Sequence, residues 1–380
     1  MDFFNIRTGV LTVSAVLGAA ACSPGAEPPD ACTTCDVSDA GTEDTSTPNG
    51  GGWVTMVAPV YSGQYPLVGD PSVLRDETGT YAMYHHCIDV ERTPQGGEIC
   101  LVTSTDGLNW ASAATPEGSA LVEGRVLRAS AATWHEAHET PFARRVNGLT
   151  SLFFIGYRSA SFFGAPPSAI GMVESADGLS FSAIGASPSI ASVETAPDAF
   201  GMTSPSVVRL DNGTLALYYT GWCAAPFDCP RGADPARLSL MAVTSVNGAT
   251  WTRRAAVLVS DPGLGWTNGG ISESEVVRGP DNRFYLFFSS LAGAAGSPFE
   301  VQRIGVAVAD NPFGPFVFAP DPIVTWESTG AWANGGVLAP SVLFEGSRVR
   351  MWFHAFERDA AGMDVAIRIG YAEAAWPLKL

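Results

Sequence analysis

Between residues 53 and 380 the apolar positions fall into short runs of β-branched and aromatic residues, broken by tight-turn residues. One arrangement occurs five times: a turn into an apolar run, a hairpin turn, then a second run rich in aromatics. The copies read DPSVLRDETGTYAMYHH from Asp70, ETPFARRVNGLTSLFFIGY from Glu139, SPSVVRLDNGTLALYYTG from Ser204, ESEVVRGPDNRFYLFFSS from Glu273 and APSVLFEGSRVRMWFHAF from Ala339, spaced 65 to 69 residues apart. Gly79, Asn147-Gly148, Asn212-Gly213, Asp281-Asn282 and Glu345-Gly346 occupy the turn, which is the signature of a β-hairpin. A second motif closes each unit. It reads ICLVTSTDGLNW from Ile99, IGMVESADGLSF from Ile170 and LMAVTSVNGATW from Leu240, with looser forms from Ile304 and Ile367. An alternating strand reaches a tight turn and then an aromatic: Trp110, Phe181, Trp251, Phe316 or Trp376.

A repeat of this length holding about four strands is the pattern of a propeller blade. Five copies predict an all-β fold, a single five-bladed β-propeller with four antiparallel strands per blade over residues 53–380. Helical periodicity is almost absent. A β-sandwich would not repeat its turns so regularly.

The segment before residue 53 follows no such pattern. Residues 10 to 21 read VLTVSAVLGAAA, too short to span a membrane and the right length for the apolar core of a signal peptide. The run ends in small residues before Cys22, which resembles a bacterial lipobox; Ala19 stands where Leu is usual. The expectation is a lipoprotein signal peptide over 1–21, with Cys22 lipidated. Residues 23–50 carry six acids and no Lys or Arg, so 22–52 is expected to be a lipidated Cys on a disordered acidic tether. Ser23 resembles the signal for outer-membrane retention. An outer-membrane lipoprotein, periplasmic or cell-surface, of a Gram-negative bacterium follows as the expected localisation.

Charge and cysteine count narrow the classes further. Of 380 residues, 46 % are hydrophobic and 16 % charged; 21 basic against 38 acidic residues give a net charge of −17, and Lys379 is the only lysine. This much apolar material excludes global disorder. No basic patch is present, which argues against nucleic acid and against an anionic membrane surface, leaving the lipid as the only membrane contact. The six cysteines other than Cys22 fall into local pairs, Cys32/Cys35, Cys87/Cys100 and Cys223/Cys229. Six cysteines allow 15 connectivities, and nearest-neighbour disulfides are one of them.

Asp70-Pro71-Ser72-Val73 followed by Tyr81-Ala82-Met83-Tyr84, with Ser104-x-Asp106-Gly107-x-x-Trp110 closing the unit, resembles the five-bladed glycoside hydrolase superfamily of arabinanases, xylosidases, invertases and levansucrases. Family 43 is the closest blade pattern, then family 32. The resemblance implies an active site at one end of the channel, where successive blades present carboxylates. A glycosidase needs one acid to protonate the leaving oxygen and one carboxylate to attack or to activate water. Placing the repeats in register aligns Asp70, Glu139, Ser204, Glu273 and Ala339 around one channel mouth. Asp70 matches the family's first-blade aspartate, as base or nucleophile. Glu139-Thr140-Pro141 resembles the family's acid motif, and Glu273 is assigned as modulator or alternative acid. Family 43 implies an inverting mechanism. The usual third-blade acid is replaced by Ser204, with Glu194 and Asp198 nearby.

Residues expected to bind sugar are Trp134, His138, Ser204 and the paired Trp266/Asn268 and Trp332/Asn334; the last four could equally be packing and loop elements. His138 is expected to hydrogen-bond Glu139 or a sugar hydroxyl. No cofactor is required for chemistry, although the resemblance implies a structural calcium ion in the channel, with His354 or His85 beside it. The leading expectation is a monomeric lipoprotein that hydrolyses glycosidic bonds of an extracellular carbohydrate. The alternatives are a non-catalytic carbohydrate-binding or adhesion propeller, and a surface scaffold that binds protein.

Overall fold

A computed structural model describes residues 52–380 except 64–66, 89–96, 114–123, 131–132, 158–167, 194–197, 199–200, 224–236, 254–257, 260–263, 268–269 and 295–296. The signal segment, the tether, Cys22, Cys32, Cys35, Glu194, Cys229, Asn268 and the Cys223 side chain lie outside the described residues. All described residues belong to one compact unit, Thr45–Leu380.

The molecule is nearly all-β. Among the described residues the only α-helix is the four-residue turn Trp326–Thr329. Each sequence repeat forms an antiparallel meander of three long strands. The first repeat holds Leu67–Arg75, Tyr81–Ile88 and Gly97–Ser104; the second holds Ala137–Val146, Leu149–Tyr157 and Ala169–Ser175. Gly201–Arg209, Leu215–Cys223 and Arg237–Ser245 form the third, and Gly270–Arg278, Phe284–Ala294 and Ser297–Ala309 the fourth. The fifth is Gly336–Glu345, Arg348–Arg358 and Asp364–Ala375. Short two- or three-residue strands flank each meander on its outer side. In the fifth repeat that outer strand comes from the other end of the sequence: Val54–Thr55 pairs with the last strand, Val54 opposite Glu373. Trp53 is fully buried there, edge-on to Phe287 at 6.1 Å.

The apolar core is divided into five clusters, one between each consecutive pair of repeats. The last joins the fifth repeat to the first through Trp352, Ile369, Val68 and Met83. Strands covered on both faces cannot alternate apolar and polar residues, which is why runs such as YAMYHHCI read as almost continuously buried.

Side chains carry the hydrogen bonds that backbone pairing leaves out. The amide of Ala143 donates to Ser72 Oγ at 2.9 Å, Val276 to Ser206 Oγ at 3.2 Å, Val342 to Glu275 Oε2 at 2.7 Å and Val73 to Ser341 Oγ at 2.9 Å. These bonds link the first strands of repeats one to two, three to four, four to five and five to one. Between repeats two and three Phe142 occupies the corresponding place. Here Ser204 donates its amide to Thr140 Oγ1, and Arg144 donates to the Val207 carbonyl at 2.6 Å.

The closing turns behave as their motif predicts. Ser104 Oγ accepts the Gly107 amide, and Asp106 Oδ1 accepts those of Leu108 and Asn109, all at 2.8 Å. Ser175/Asp177 and Ser245/Asn247 repeat the device. Gly107 sits at φ 77°, where a side chain would be strained. The carbonyls of these turns accept from aromatics of the preceding repeat: Tyr84 to Gly178, and Trp352 to Gly107, both at 2.7 Å.

Candidate functional site at the channel mouth

Every first strand carries a β-bulge at the same place. Gly69 pairs with His86 and Ser72 with Tyr84, so Asp70 and Pro71 together oppose His85 alone. The same break falls between Glu139 and Phe142, Thr203 and Ser206, Ser272 and Glu275, and Leu338 and Ser341. A bulge re-aims the side chain it carries, and bulges concentrate beside active sites. The first bulge residue is left-handed in all five cases: Asp70 φ 50°, Thr140 44°, Ser204 51°, Glu273 41° and Ala339 52°. Each such conformation costs about 1–3 kcal/mol in a residue other than glycine, and holds only where its surroundings over-determine it. Three of the amides are pinned by side chains: Asp70 donates to His354 Nδ1 at 2.9 Å, Ser204 to Thr140 Oγ1 and Ala339 to Ser289 Oγ.

This register corrects the sequence alignment. Asp70, Ser204, Glu273 and Ala339 are equivalent, but their counterpart in the second repeat is Thr140; Glu139 precedes it, at the position of Gly69. The five bulge residues line one narrow cavity together with Pro71, Pro141, Pro205 and Pro340.

The three expected acids nevertheless converge. An oxygen of Asp70 and one of Glu139 lie within 4.8 Å of each other and of a ring nitrogen of His86; oxygens of Asp70 and Glu273 do the same with His354. His86 Nδ1 stands 3.5 Å from Asp70 Oδ2 and 3.8 Å from Glu139 Oε1. His354 Nδ1 stands 3.2 Å from Asp70 Oδ1. Asp70 is 5 % exposed and Glu139 20 %. Asp70 Oδ1, Glu273 Oε2, His86 Nε2 and His354 Nε2 have no hydrogen-bond partner among the described residues. Buried polar atoms left this way call for an occupant or a chemical role.

The shared burial pushes these carboxyls apart in acidity. Burial raises Asp70, but hydrogen bonds and charge from His354 and His86 outweigh it and hold the group below the usual carboxylate range. Burial lifts Glu139 to about 7; the charge on His86 opposes this and that of Asp70 adds to it. Burial, then the charges of Asp70 and Glu139, raise Glu273 well above its ordinary value. Asp70 is therefore held the most acidic of the three, and Glu139 and Glu273 the less acidic. Two carboxyls with separated acidities are what general acid–base work requires.

His354 Nδ1 lies 2.9 Å from the Asp70 amide, and His86 Nδ1 faces Asp70 and Glu139. His85 turns away, its Nδ1 3.0 Å from the His86 carbonyl and its ring edge against Tyr61. His354 thus lies against Asp70, while His85 packs on Tyr61.

The remaining expected residues divide. Ser204 lies in the channel, its hydroxyl 3.2 Å from Thr203 Oγ1. His138 is fully buried and meets His135 Nδ1 at 3.3 Å; burial lowers it to about 3, so it stays neutral. The imidazole beside Glu139 is that of His86, which sequence reasoning leaves without a role. The tryptophans are half-buried and pack on one face, and Trp134 also lines an open cavity of about 760 Å³ with Arg128 and His135. Trp134 stacks on Phe154 and donates to the Gly185 carbonyl at 3.0 Å; Trp266 stacks on Phe288 and donates to Pro320 at 2.9 Å. Trp134, Trp266 and Trp332 lie over Gly171, Gly305 and Gly370, where a Cβ would collide with the ring. Asn334 holds both the amide and the carbonyl of Arg358. Asp198, the acid near the third repeat, accepts from Tyr219 Oη at 2.8 Å. Cys87 and Cys100 form a disulfide between neighbouring strands, as one of the allowed pairings has it.

No protein-family model matches the sequence, and no curated protein does. Solved structures do. One, of BT0996 in complex with RGII, shares 12 % identity at a TM-score of 0.63, covering 88 % of this protein and 94 % of that one. A thermostable family-43 glycoside hydrolase shares 16 % identity at a TM-score of 0.58, over 82 % and 90 % of the two proteins. The fold is that of the propeller glycoside hydrolases. An endo-arabinase from Bacteroides thetaiotaomicron is similar to the same degree, with 16 % identity, a TM-score of 0.55 and coverage of 82 % and 95 %.

Proposed function

We propose that this protein is a five-bladed β-propeller that hydrolyses glycosidic bonds of an extracellular oligo- or polysaccharide. Five inter-repeat cores and side-chain bonds running from each first strand to the next, including from the fifth repeat to the first, support the blade count. The observation that carries the activity is the meeting of three carboxyls from three repeats at one channel mouth, with Asp70 held acidic and Glu139 raised to about 7.

In this reading Glu139 protonates the leaving oxygen and Asp70 works on the anomeric carbon, directly or through water. Glu273 crowds negative charge toward Asp70 and so tunes the pair. An oxygen of Asp70 and one of Glu139 lie within 4.8 Å of each other, so both carboxyls can reach one glycosidic bond. Proton NMR of the first-formed anomer decides between the inverting outcome, in which Asp70 activates water, and retention, in which it attacks directly.

A panel of plant and microbial polysaccharides, assayed with the native protein and with Asp70→Asn, tests the activity. Hydrolysis lost in the variant supports the reading; hydrolysis unchanged removes Asp70 from the mechanism. Ser204 in place of a third-repeat acid favours a second reading, a propeller that binds carbohydrate without cleaving it. Retained glycan binding with no product from any substrate would decide for that reading. The proposed setting is a monomer tethered by lipid on Cys22 to the outer membrane. Incorporation of labelled palmitate, abolished by Cys22→Ala, tests the anchor.

A further inference from the structure

His86 lies on the second strand of the first repeat, paired across that meander with Ile99 and adjoining the Cys87–Cys100 disulfide. Its ring is nearly fully buried, and its Nδ1 is the one nitrogen that approaches both Asp70 and Glu139. The two carboxylates come from different repeats, so the imidazole bridges a joint as well as a pair of reacting groups. On its other side Nε2 abuts Gly97 so closely that a Cβ there would take its place.

We propose that His86 is a positioning residue that sets the protonation of the Asp70–Glu139 pair, an imidazole bridging the two acids beside the tuning carboxyl of Glu273. The inference deepens the hydrolase reading and rests on it for its catalytic meaning. A cation between two carboxyls favours the ionised form of both. Ionised Asp70 is what the reaction uses. Glu139 by contrast is pushed up by burial, and the nearby cation restrains it so that it can still release its proton near neutral pH, as a general acid must.

The described groups around His86 and the two acids fit this role, and the buried Tyr157 hydroxyl beside the acids is raised well above its ordinary value by burial and by their charges. From the first strand of its own repeat comes Asp70, and from the second repeat come Glu139 and His138; His138 is kept neutral by burial. His85 precedes it on its own strand and is likewise lowered, to about 4, by burial. Glu273 and His354 reach the pair from the side of Asp70. Burial opposes a charge on His86, and the hydrogen bond to Asp70 with the charges of Glu139 and Asp70 more than restores it. Among the described residues, His86 is thus the cationic candidate that approaches both acids.

The sign of the test follows. Replacing His86 by Gln removes a positive charge from both carboxyls, so the midpoints of Asp70 and Glu139 both rise. The ascending limb of the pH–rate profile, set by ionisation of Asp70, and the descending limb, set by loss of the Glu139 proton, shift together to higher pH. A role in packing alone would lower stability and activity without moving either limb.

The experiment follows carboxyl-13C glutamate by NMR in the native protein and in His86→Gln, with circular dichroism as the check on folding. The midpoint assigned to Glu139, by its loss in Glu139→Gln, is expected to rise by a pH unit or more. An unmoved midpoint in a folded variant overturns the proposal. Should His86→Gln fail to fold, imidazole-15N titration of the native protein serves instead. His86 is then expected to hold its proton above the ordinary histidine range and to lose it earlier in Asp70→Asn; titration at or below the ordinary value overturns the proposal. A shifted Glu139 midpoint in a protein that cleaves no glycan sinks the hydrolase reading alone. An active enzyme with an unmoved midpoint sinks this inference alone.

Discussion

The channel carries two circles of five positions, two residues apart on the same strands, and they treat polar groups in opposite ways. At the mouth stand Asp70, Thr140, Ser204, Glu273 and Ala339, all left-handed, with carboxylate oxygens of Asp70 and Glu273 unpaired. Two residues deeper stand Ser72, Phe142, Ser206, Glu275 and Ser341. There every polar side chain accepts an amide hydrogen from the neighbouring repeat. The deeper circle uses its acceptors to join repeats. In the upper circle Thr140 alone does the same, taking the Ser204 amide, while Asp70 and Glu273 keep oxygens open and all five residues accept strain. Natural proteins break local rules chiefly where function requires it, so the contrast supports the proposal of chemistry at the mouth and cohesion below it.

The largest expected effect breaks the upper circle's neighbourhood. Glu139→Gln removes the proton donor, and hydrolysis of an unactivated glycoside is expected to fall about 10²–10⁴-fold. Aryl glycosides with acidic leaving groups need no such proton and should be cleaved far less impaired. Measuring kcat on both substrates separates a lost acid from a damaged site. An equal loss on both would place Glu139 outside the acid role. Thermal unfolding should change little, since Glu139 accepts no inter-repeat amide.

The deeper circle has one titratable member, and it answers to pH instead. Burial raises Glu275 to about 8, opposed by the bond from the Val342 amide and the charge of Arg144. A carboxyl whose folded-state acidity is weaker than its unfolded one stabilises the fold while protonated in both states. That contribution is complete below about 4.5 and is lost as pH rises toward 8. Glu139 contributes with the same sign up to about 7, and Asp70, held low, with the opposite sign in acid. Glu275→Gln keeps an acceptor for Val342 and cannot ionise. Denaturant unfolding of the variant between pH 5 and 8 is expected to be flatter than that of the native protein. Identical slopes would mean that Glu275 is not strained by its burial.

Much of this contrast is legible in the sequence, and the misses have physical causes. Turn spacing reveals five repeats because hairpin chemistry is local: Asn147-Gly148 and Asn212-Gly213 need no distant partner to turn. Register in the second repeat is misplaced by one when the alignment follows the acid in Glu139-Thr140-Pro141. The prolines Pro71, Pro141, Pro205 and Pro340 mark the bulge in four repeats and put Thr140 in line. His86 gains its role only through the pairing of its strand with Gly69 and the arrival of Glu139 from another repeat, neither of which is local. The tryptophans are open to both readings in sequence. Their regular partner is visible, in Ile170-Gly171, Ile304-Gly305 and Ile369-Gly370, but a glycine under a ring is recognised as such only in three dimensions. The closing strand Val54–Thr55 is two residues long and belongs to a repeat at the opposite end of the sequence, so no local pattern announces it.

The smallest expected effect sharpens the comparison from below. Ser206→Ala deletes the acceptor of the Val276 amide, a group buried between the third and fourth repeats, and leaves no other partner in its place. An unpaired buried amide costs about 1–3 kcal/mol. Ser72→Ala and Ser341→Ala should cost similar amounts at their own joints, and the Ser206 and Ser341 losses should add, because the two bonds share no partner. Hydrolysis per folded molecule should be unchanged in all three, since none of these hydroxyls touches Asp70, Glu139 or Glu273. A serine whose removal reduced kcat without lowering stability would move that position from the lower circle's work to the upper one's. The division between cohesion and chemistry would then run across the strands rather than along them.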